Sequence, residues 1–103
     1  MKLITDEIRK ILPPIKGQES KGNCAIAHVK FFTPDSFWTW YVTEYDPIEN
    51  ICFGFVIGFE NEWGYFSVDE HESAKGPLGL SVERDLYFEP KPISEIIKNI
   101  KNR

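Results

Sequence analysis

Two rhythms of hydrophobic and polar residues divide this chain. Near the N-terminus Ile4, Ile8, Ile11 and Leu12 recur at i, i+4, i+7 and i+8, which places them on one face of a helix. Thr5 can cap that helix, and Asp6 and Glu7 occupy its first turn, where the helix dipole favours acids. Pro13-Pro14 ends it, because the residue before a proline is pushed out of the α region. Near the C-terminus Ile93, Ile96, Ile97 and Ile100 repeat the helical spacing behind Pro90 and Pro92, with Ser94 as the expected cap. Lys98, Lys101 and Arg103 lie toward the far end of this helix, where cations are favoured.

Between the helices the rhythm changes to a period of two, which predicts strands at residues 25–33, 37–45, 51–60 and 63–68. In the first, Ala25, Ala27, Val29, Phe31 and Thr33 form the more apolar face. Residues 16–23 are polar with two glycines and read as a mobile loop. Ser67-Val68-Asp69-Glu70 has the form of a capping box and predicts a short helix over 69–74. Residues 75–80 form a glycine- and proline-rich loop, and 82–88 a short final strand interrupted by Glu83-Arg84-Asp85. The pattern predicts an α+β fold: an antiparallel sheet of four to five strands with the N- and C-terminal helices packed on one face.

A pairing can be derived for the central hairpin. With Asp46 opposite Asn50, Val42 opposes Gly54, Trp40 opposes Val56 and Trp38 opposes Gly58, and opposed residues share a face. The tryptophans then lie beside bare glycine positions, as bulky groups approaching a strand often do. A two-residue turn at Asn61-Glu62 would set Tyr65 opposite Gly58 and Phe66 opposite Ile57. Trp38, Trp40 and Tyr65 would crowd one face, and Phe53, Phe55, Ile57, Phe59 and Phe66 the other.

At 103 residues the chain is expected to be a single domain, residues 1–103. Its net charge of −4 argues against a basic nucleic-acid footprint and reads as ordinary solubilising charge. Cys24 and Cys52 are far apart with no C-x-x-C, which suggests two reduced thiols. The first residues turn acidic where a signal peptide needs an apolar run, and no segment approaches the ~18 apolar residues of a membrane span. A cytoplasmic location without membrane contact is expected.

Several long motifs resemble one family. They are His28-Val29-Lys30-Phe31-Phe32-Thr33-Pro34-Asp35-Ser36, Trp38-Thr39-Trp40-Tyr41 with Glu44-Tyr45-Asp46, Gly54-Phe55-Val56-Ile57-Gly58 and Gly64-Tyr65-Phe66-Ser67. Gly76-Pro77-Leu78-Gly79-Leu80, Glu83-Arg84-Asp85-Leu86 and Phe88-Glu89-Pro90 continue the match. Together they resemble the family called domain of unknown function 2958 over nearly the whole chain. Lys75 stands where the resemblance implies an arginine. The resemblance implies a context, small accessory proteins of bacterial plasmids and other mobile elements, and no chemistry.

Candidate chemistry is sparse. Cys24, His28, Cys52 and His71 have no metal-ligand spacing, so no metal or other cofactor is expected. There is no nucleophile elbow. Glu44 and Asp46 share a strand face, and Glu83 and Asp85 flank Arg84; the plain reading of the latter is an ion pair of Arg84 with a neighbouring acid. The aromatic side chains Trp38, Trp40, Tyr41, Trp63 and Tyr65, with Arg84, are the candidate binding residues, since Trp, Tyr and Arg dominate interface hot spots. Equally, they could complete the core. Stacking on single-stranded nucleic acid needs a positive groove, and Glu44, Asp46, Glu60 and Glu62 surround this sheet instead. Two functions follow as expectations. One is a non-enzymatic interaction module, an inhibitor or adaptor that contacts a host or plasmid-encoded protein. The other is a small hydrolase using Glu83, Asp85 and His28 or His71.

Overall fold

The computed structural model describes residues 1–101, so Arg103 lies outside the described residues. In chain order the elements are α1 (Asp6–Ile11), a pair of 3₁₀ turns within Glu19–Cys24, β1 (Ile26–Ala27), β2 (Val29–Phe32), β3 (Thr39–Asp46), β4 (Ile51–Ile57), β5 (Asn61–Ser67), α2 (Val68–Ser73), β6 (Glu83–Arg84), β7 (Lys91–Pro92) and α3 (Ile93–Lys101). Five strands make one antiparallel sheet in the order β5-β4-β3-β2-β6, and β1 pairs with β7 in a second, two-stranded ladder. The expected α+β class and the strand count are what the chain adopts.

Both faces of the main sheet are apolar, and each takes its own cover. On the first face Val29, Phe31, Val42, Tyr45, Cys52 and Phe66 pack with Leu3, Ile4, Ile8 and Leu12 from the N-terminal segment, and with Val68 and Val82. On the second, Phe55, Tyr41, Ile57 and Trp63 pack with Ile93, Ile96, Ile97 and Ile100 of α3. The terminal helices therefore lie on opposite faces, where one shared face was expected. The reason is that alternate residues of β3 and β4 are apolar on both sides, and an uncovered apolar face would be left in water. Each buried isoleucine contributes about 2 kcal/mol of transfer free energy, so Ile93 and Ile96 favour the docking of α3 on this face.

The caps at Thr5 and Ser67 are as expected, whereas α3 starts at Ile93, so Ser94 lies inside that helix and does not cap it. Thr5 Oγ1 accepts the Ile8 N–H at 3.3 Å, and Ser67 Oγ accepts the Glu70 N–H at 3.2 Å. Ile11, however, is exposed, because α1 is only six residues long and its contact stripe is filled by Ile4, Ile8 and Leu12.

Residues 25–33 are not one strand. The chain breaks at His28, so Ala27 enters the second core and Val29 and Phe31 the first. The opposite strand breaks beside it: between Val42 and Glu44 the β3–β4 register shifts by one, a bulge at Thr43. Asp46 consequently opposes Ile51 and not Asn50, because Pro47–Asn50 make a four-residue loop with Asn50 at φ 56°. The loop and the bulge offset one another, so Trp40 still opposes Val56 and Val42 still opposes Gly54, as derived.

The next hairpin differs more. Its turn is Gly58-Phe59-Glu60, closed by the Gly58 N–H to the Glu60 carbonyl at 3.1 Å, and Asn61 and Glu62 are already in β5. Tyr65 opposes Phe53, and Trp63 opposes Phe55. The pairing is offset by an odd number of residues from the expected one, so every side chain of β5 changes face. Phe66 joins the first core, and Phe59 stands out at the turn.

Residues 16–23 are anchored to the sheet rather than loose. Gln18 is almost fully buried, and its side-chain amide bonds the Ile26 N–H, the Ile26 carbonyl and the Thr43 carbonyl at 2.7, 2.9 and 2.8 Å. It substitutes for a strand where β1 and the bulged β3 part. No helix among the described residues is long and apolar enough to cross a membrane.

Candidate functional site

The six candidate binding residues fall into three groups rather than one face. Trp38 and Trp40 are on the first face at one end of the sheet. The Trp38 ring occupies the space a Cβ at Gly58 would need, so the expected association of tryptophan and bare glycine holds. Trp38 stacks on Trp40 (centroids 5.9 Å, 18° between planes), Phe37 stacks on Trp38 at 6.1 Å, and Phe59 meets both Phe37 and Trp38 edge-on at 5.6 and 5.3 Å. These are the offset and T-shaped geometries that aromatic quadrupoles favour. Beyond Trp40 comes His71 of α2, with ring centroids 4.3 Å apart, and His71 also rests on Phe66 at 5.4 Å.

The 75–80 loop closes over this end. The Asp35 carboxylate accepts the Leu78 N–H at 2.7 Å and the Leu80 N–H at 3.4 Å. Gly76 must lack a side chain because that carboxylate fills the space, and Gly79 turns at φ 82°. A groove of about 310 Å³ remains between Trp38, Trp40 and His71 on one side and Gly76, Pro77 and Val82 on the other. Around it the surface is apolar: Phe59 is 85% exposed, Leu78 79% and Phe37 57%. Among the described residues His71 Nε2 is buried without a hydrogen-bond partner, as is Asp35 Oδ1. Burial lowers the His71 pKa from its ordinary value, against the opposing pull of the Ser67 backbone and the Glu70 charge.

Trp63 and Tyr65 are on the second face. Phe53 stacks on Trp63 (5.6 Å, 15°) and tilts against Tyr65 at 4.8 Å, making a shelf of three rings. The bulge at Thr43 turns Glu44 onto this same face, opposite Phe53. Glu44 is only 3% exposed, and its carboxylate accepts the Lys16 N–H at 2.7 Å and the Gln18 N–H at 3.0 Å. A cavity of about 200 Å³ lies between this shelf and the 16–25 segment.

Tyr41 packs on the second face with Phe55 and Trp63, and Arg84 is on the edge strand β6. Tyr41 lies under Phe88 with ring centroids 5.8 Å apart, and Lys30 Nζ sits 5.8 Å above its ring. Among the described residues Arg84 does not pair with an acid. Its Nη1 donates to the carbonyls of Lys2 at 2.6 Å and Leu3 at 2.8 Å, binding the N-terminal segment to β6. Among the described residues the ion pair beside it is Lys30–Asp85 at 3.7 Å.

The suggested hydrolytic groups are dispersed. Glu83 pairs with Phe32 in the ladder, and Asp85 sits by Lys30 on the second face, whereas His71 packs on the first. His28 lies at the strand break, its N–H donating to the Val42 carbonyl; burial and the Lys21 charge lower its pKa. Among the described residues no group of three or more His, Cys, Asp or Glu side chains could hold a metal ion. Sequence reasoning missed Phe37, Phe59 and Leu78 as surface and Gln18 as a structural centre. The glycine of Gly58-Phe59-Glu60 was a turn signal that could have freed Phe59 from the core, but nothing marked Gln18.

Comparison with curated proteins and with solved structures yields no match. A family model described as "Protein of unknown function (DUF2958)" matches residues 3–102, and by that match over nearly the whole chain the protein belongs to the DUF2958 family.

Proposed function

We propose that this protein is a non-enzymatic interaction module, an inhibitor or adaptor carried by a mobile genetic element, acting in the cytoplasm on a host or plasmid-encoded protein. One observation carries the reading. At the Trp38 end of the sheet, Phe37, Phe59 and Leu78 are exposed beside a groove floored by stacked tryptophans. Large apolar side chains clustered in water are costly unless something covers them, and aromatic anchors beside a groove are the usual energetic centre of an interface. The mobile-element context comes from the family resemblance.

The test is affinity capture from the native host with wild type and with Phe59→Asp. Phe59 is at a turn and 85% exposed, so the variant should stay folded, losing only the ring contacts with Phe37 and Trp38. Loss of a captured partner supports the proposal. A folded Phe59→Asp protein that retains every partner overturns it.

A small hydrolase is the second reading. It is favoured by the unpartnered Nε2 of His71, which lines the groove, and the unpartnered Oδ1 of Asp35, which abuts Gly76 in the groove wall. A neutral imidazole is a competent general base, and a rotation of the His71 side chain would bring its buried Nε2 to the groove. Hydrolysis of an ester or phosphoester panel that His71→Gln abolishes without unfolding the protein would establish it.

A further inference from the structure

We infer that the cavity between the 16–25 segment and β5 is a binding site for an organic cation, an alkylammonium or guanidinium group seated on the Tyr65, Phe53 and Trp63 rings with Glu44 as its counter-charge. This site lies on the face of the sheet opposite the Trp38 groove, so it stands or falls independently of the proposed function.

The first argument is the carboxylate. Glu44 is 3% exposed, yet among the described residues no cation lies within ion-pairing distance of it. A buried charge without a partner is expensive. Two backbone N–H groups offset part of that cost, one on each oxygen. Each carboxylate oxygen can accept two hydrogen bonds, so one position on each stays open. The bulge at Thr43 is what brings Glu44 here; in a regular strand it would share the first face with Val42 and Trp40.

The second argument is the wall. The faces of Phe53, Trp63 and Tyr65 carry negative quadrupole charge, which attracts a cation within about 6 Å of a ring centroid. The outermost ring, Tyr65, is 61% exposed and open to an entering group. The remaining charged lining is Lys16 and Glu19, so two glutamates stand against one lysine. At about 200 Å³ the space is ample for a trimethylammonium or guanidinium head and too small for a folded partner. A neutral apolar ligand would gain from the rings and nothing from Glu44.

The ligand could be a free amine or a basic side chain of another protein, and the probes separate these. The full chain is titrated with choline, with Nα-acetyl-arginine amide, and with 3,3-dimethylbutan-1-ol, the uncharged isostere of choline. Binding is followed by the NMR shifts of the Trp63 indole N–H and the Tyr65 amide. At least one cation is expected to saturate these shifts and to bind about tenfold tighter than the isostere. Preference for choline identifies a small quaternary ammonium ligand, and preference for the arginine amide a guanidinium side chain of a partner. Tyr65→Ala, which removes an exposed ring, should weaken the preferred cation about fivefold. Glu44→Gln should abolish the discrimination from the isostere where it folds, and Tyr65→Ala keeps the test decisive where it does not. Equal binding of the isostere overturns the inference, as does the absence of any shift from either cation up to about 50 mM, an affinity too weak to be a site.

Discussion

The Gln18 side-chain amide donates to the Thr43 carbonyl at 2.8 Å, filling the gap left where Thr43 bulges out of the β3–β4 ladder. The same amide exchanges two bonds with Ile26, so one side chain closes the space between two separate ladders. Gln18→Ala would leave three backbone groups short of partners. Since an unsatisfied buried group costs about 1–3 kcal/mol, partly relieved by water entry, the expected loss is about 3 kcal/mol in urea unfolding. Gln18→Glu should do at least as badly, because a carboxylate has no N–H to offer the Ile26 and Thr43 carbonyls. A loss below about 1 kcal/mol for both would show that these contacts are dispensable.

Gly58 and Trp38 form a second constraint. A methyl group at Gly58 would coincide with the indole ring, so Gly58→Ala must displace Trp38 and with it the stack of Phe37 and Trp40. Overpacking of this kind costs about 1–3 kcal/mol. The expected signature is lower stability with altered tryptophan emission. Trp38→Leu in the Gly58→Ala background should recover part of the loss if the clash is the cause.

The two cysteines should react very differently. Cys24 is exposed, whereas Cys52 is buried, and burial pushes its pKa up to about 12. The thiolate is the reactive form, so a thiol reagent at pH 8 should modify Cys24 alone in the native protein. Cys52 should react only as the protein unfolds. Rapid titration of two thiols without denaturant would contradict this burial.

Stability should fall on mild acidification. Burial lowers the pKa of His71, and burial with Lys21 lowers that of His28, so the unfolded chain binds protons more readily than the folded one. The stabilisation from each neutral imidazole is fully present above the ordinary value of 6.5 and is lost as pH falls below it toward the folded-state pKa. His71→Leu keeps an apolar contact with Trp40 and Phe66 and removes the titrating group. The difference in urea midpoint between pH 7.5 and pH 5.5 should shrink in that variant, and an unchanged difference would exclude His71 as a contributor.

Local features were legible in the sequence because they depend on a few consecutive residues. Thr5 and Ser67 cap their helices as their spacing indicated, the isoleucine stripe of α3 faces the second core with Ile93 and Ile96 buried and Ile97 and Ile100 partly buried, and Trp40 lies opposite Val56. The candidate site was only partly legible. Trp38 and Trp40 do sit together, but Trp63 and Tyr65 are on the other side of the sheet, because a turn at Gly58-Phe59-Glu60 replaced one at Asn61-Glu62 and reversed the faces of β5.

By itself the sequence determined the α+β class, the positions of the three helices and the three central strands and the pairing at the centre of the main hairpin, since periodicity, capping residues and prolines act within a few residues of one another. Only the tertiary structure decided which face each helix covers, that Arg84 binds the Lys2 and Leu3 carbonyls, and that Gln18 and Glu44 meet across 26 residues of chain. The meeting of Gln18 and Glu44 depends on the one-residue bulge at Thr43, and the faces of β5 on a three-residue turn. Each costs little locally, but with a side-chain period of two, a single residue of register redirects every group that follows.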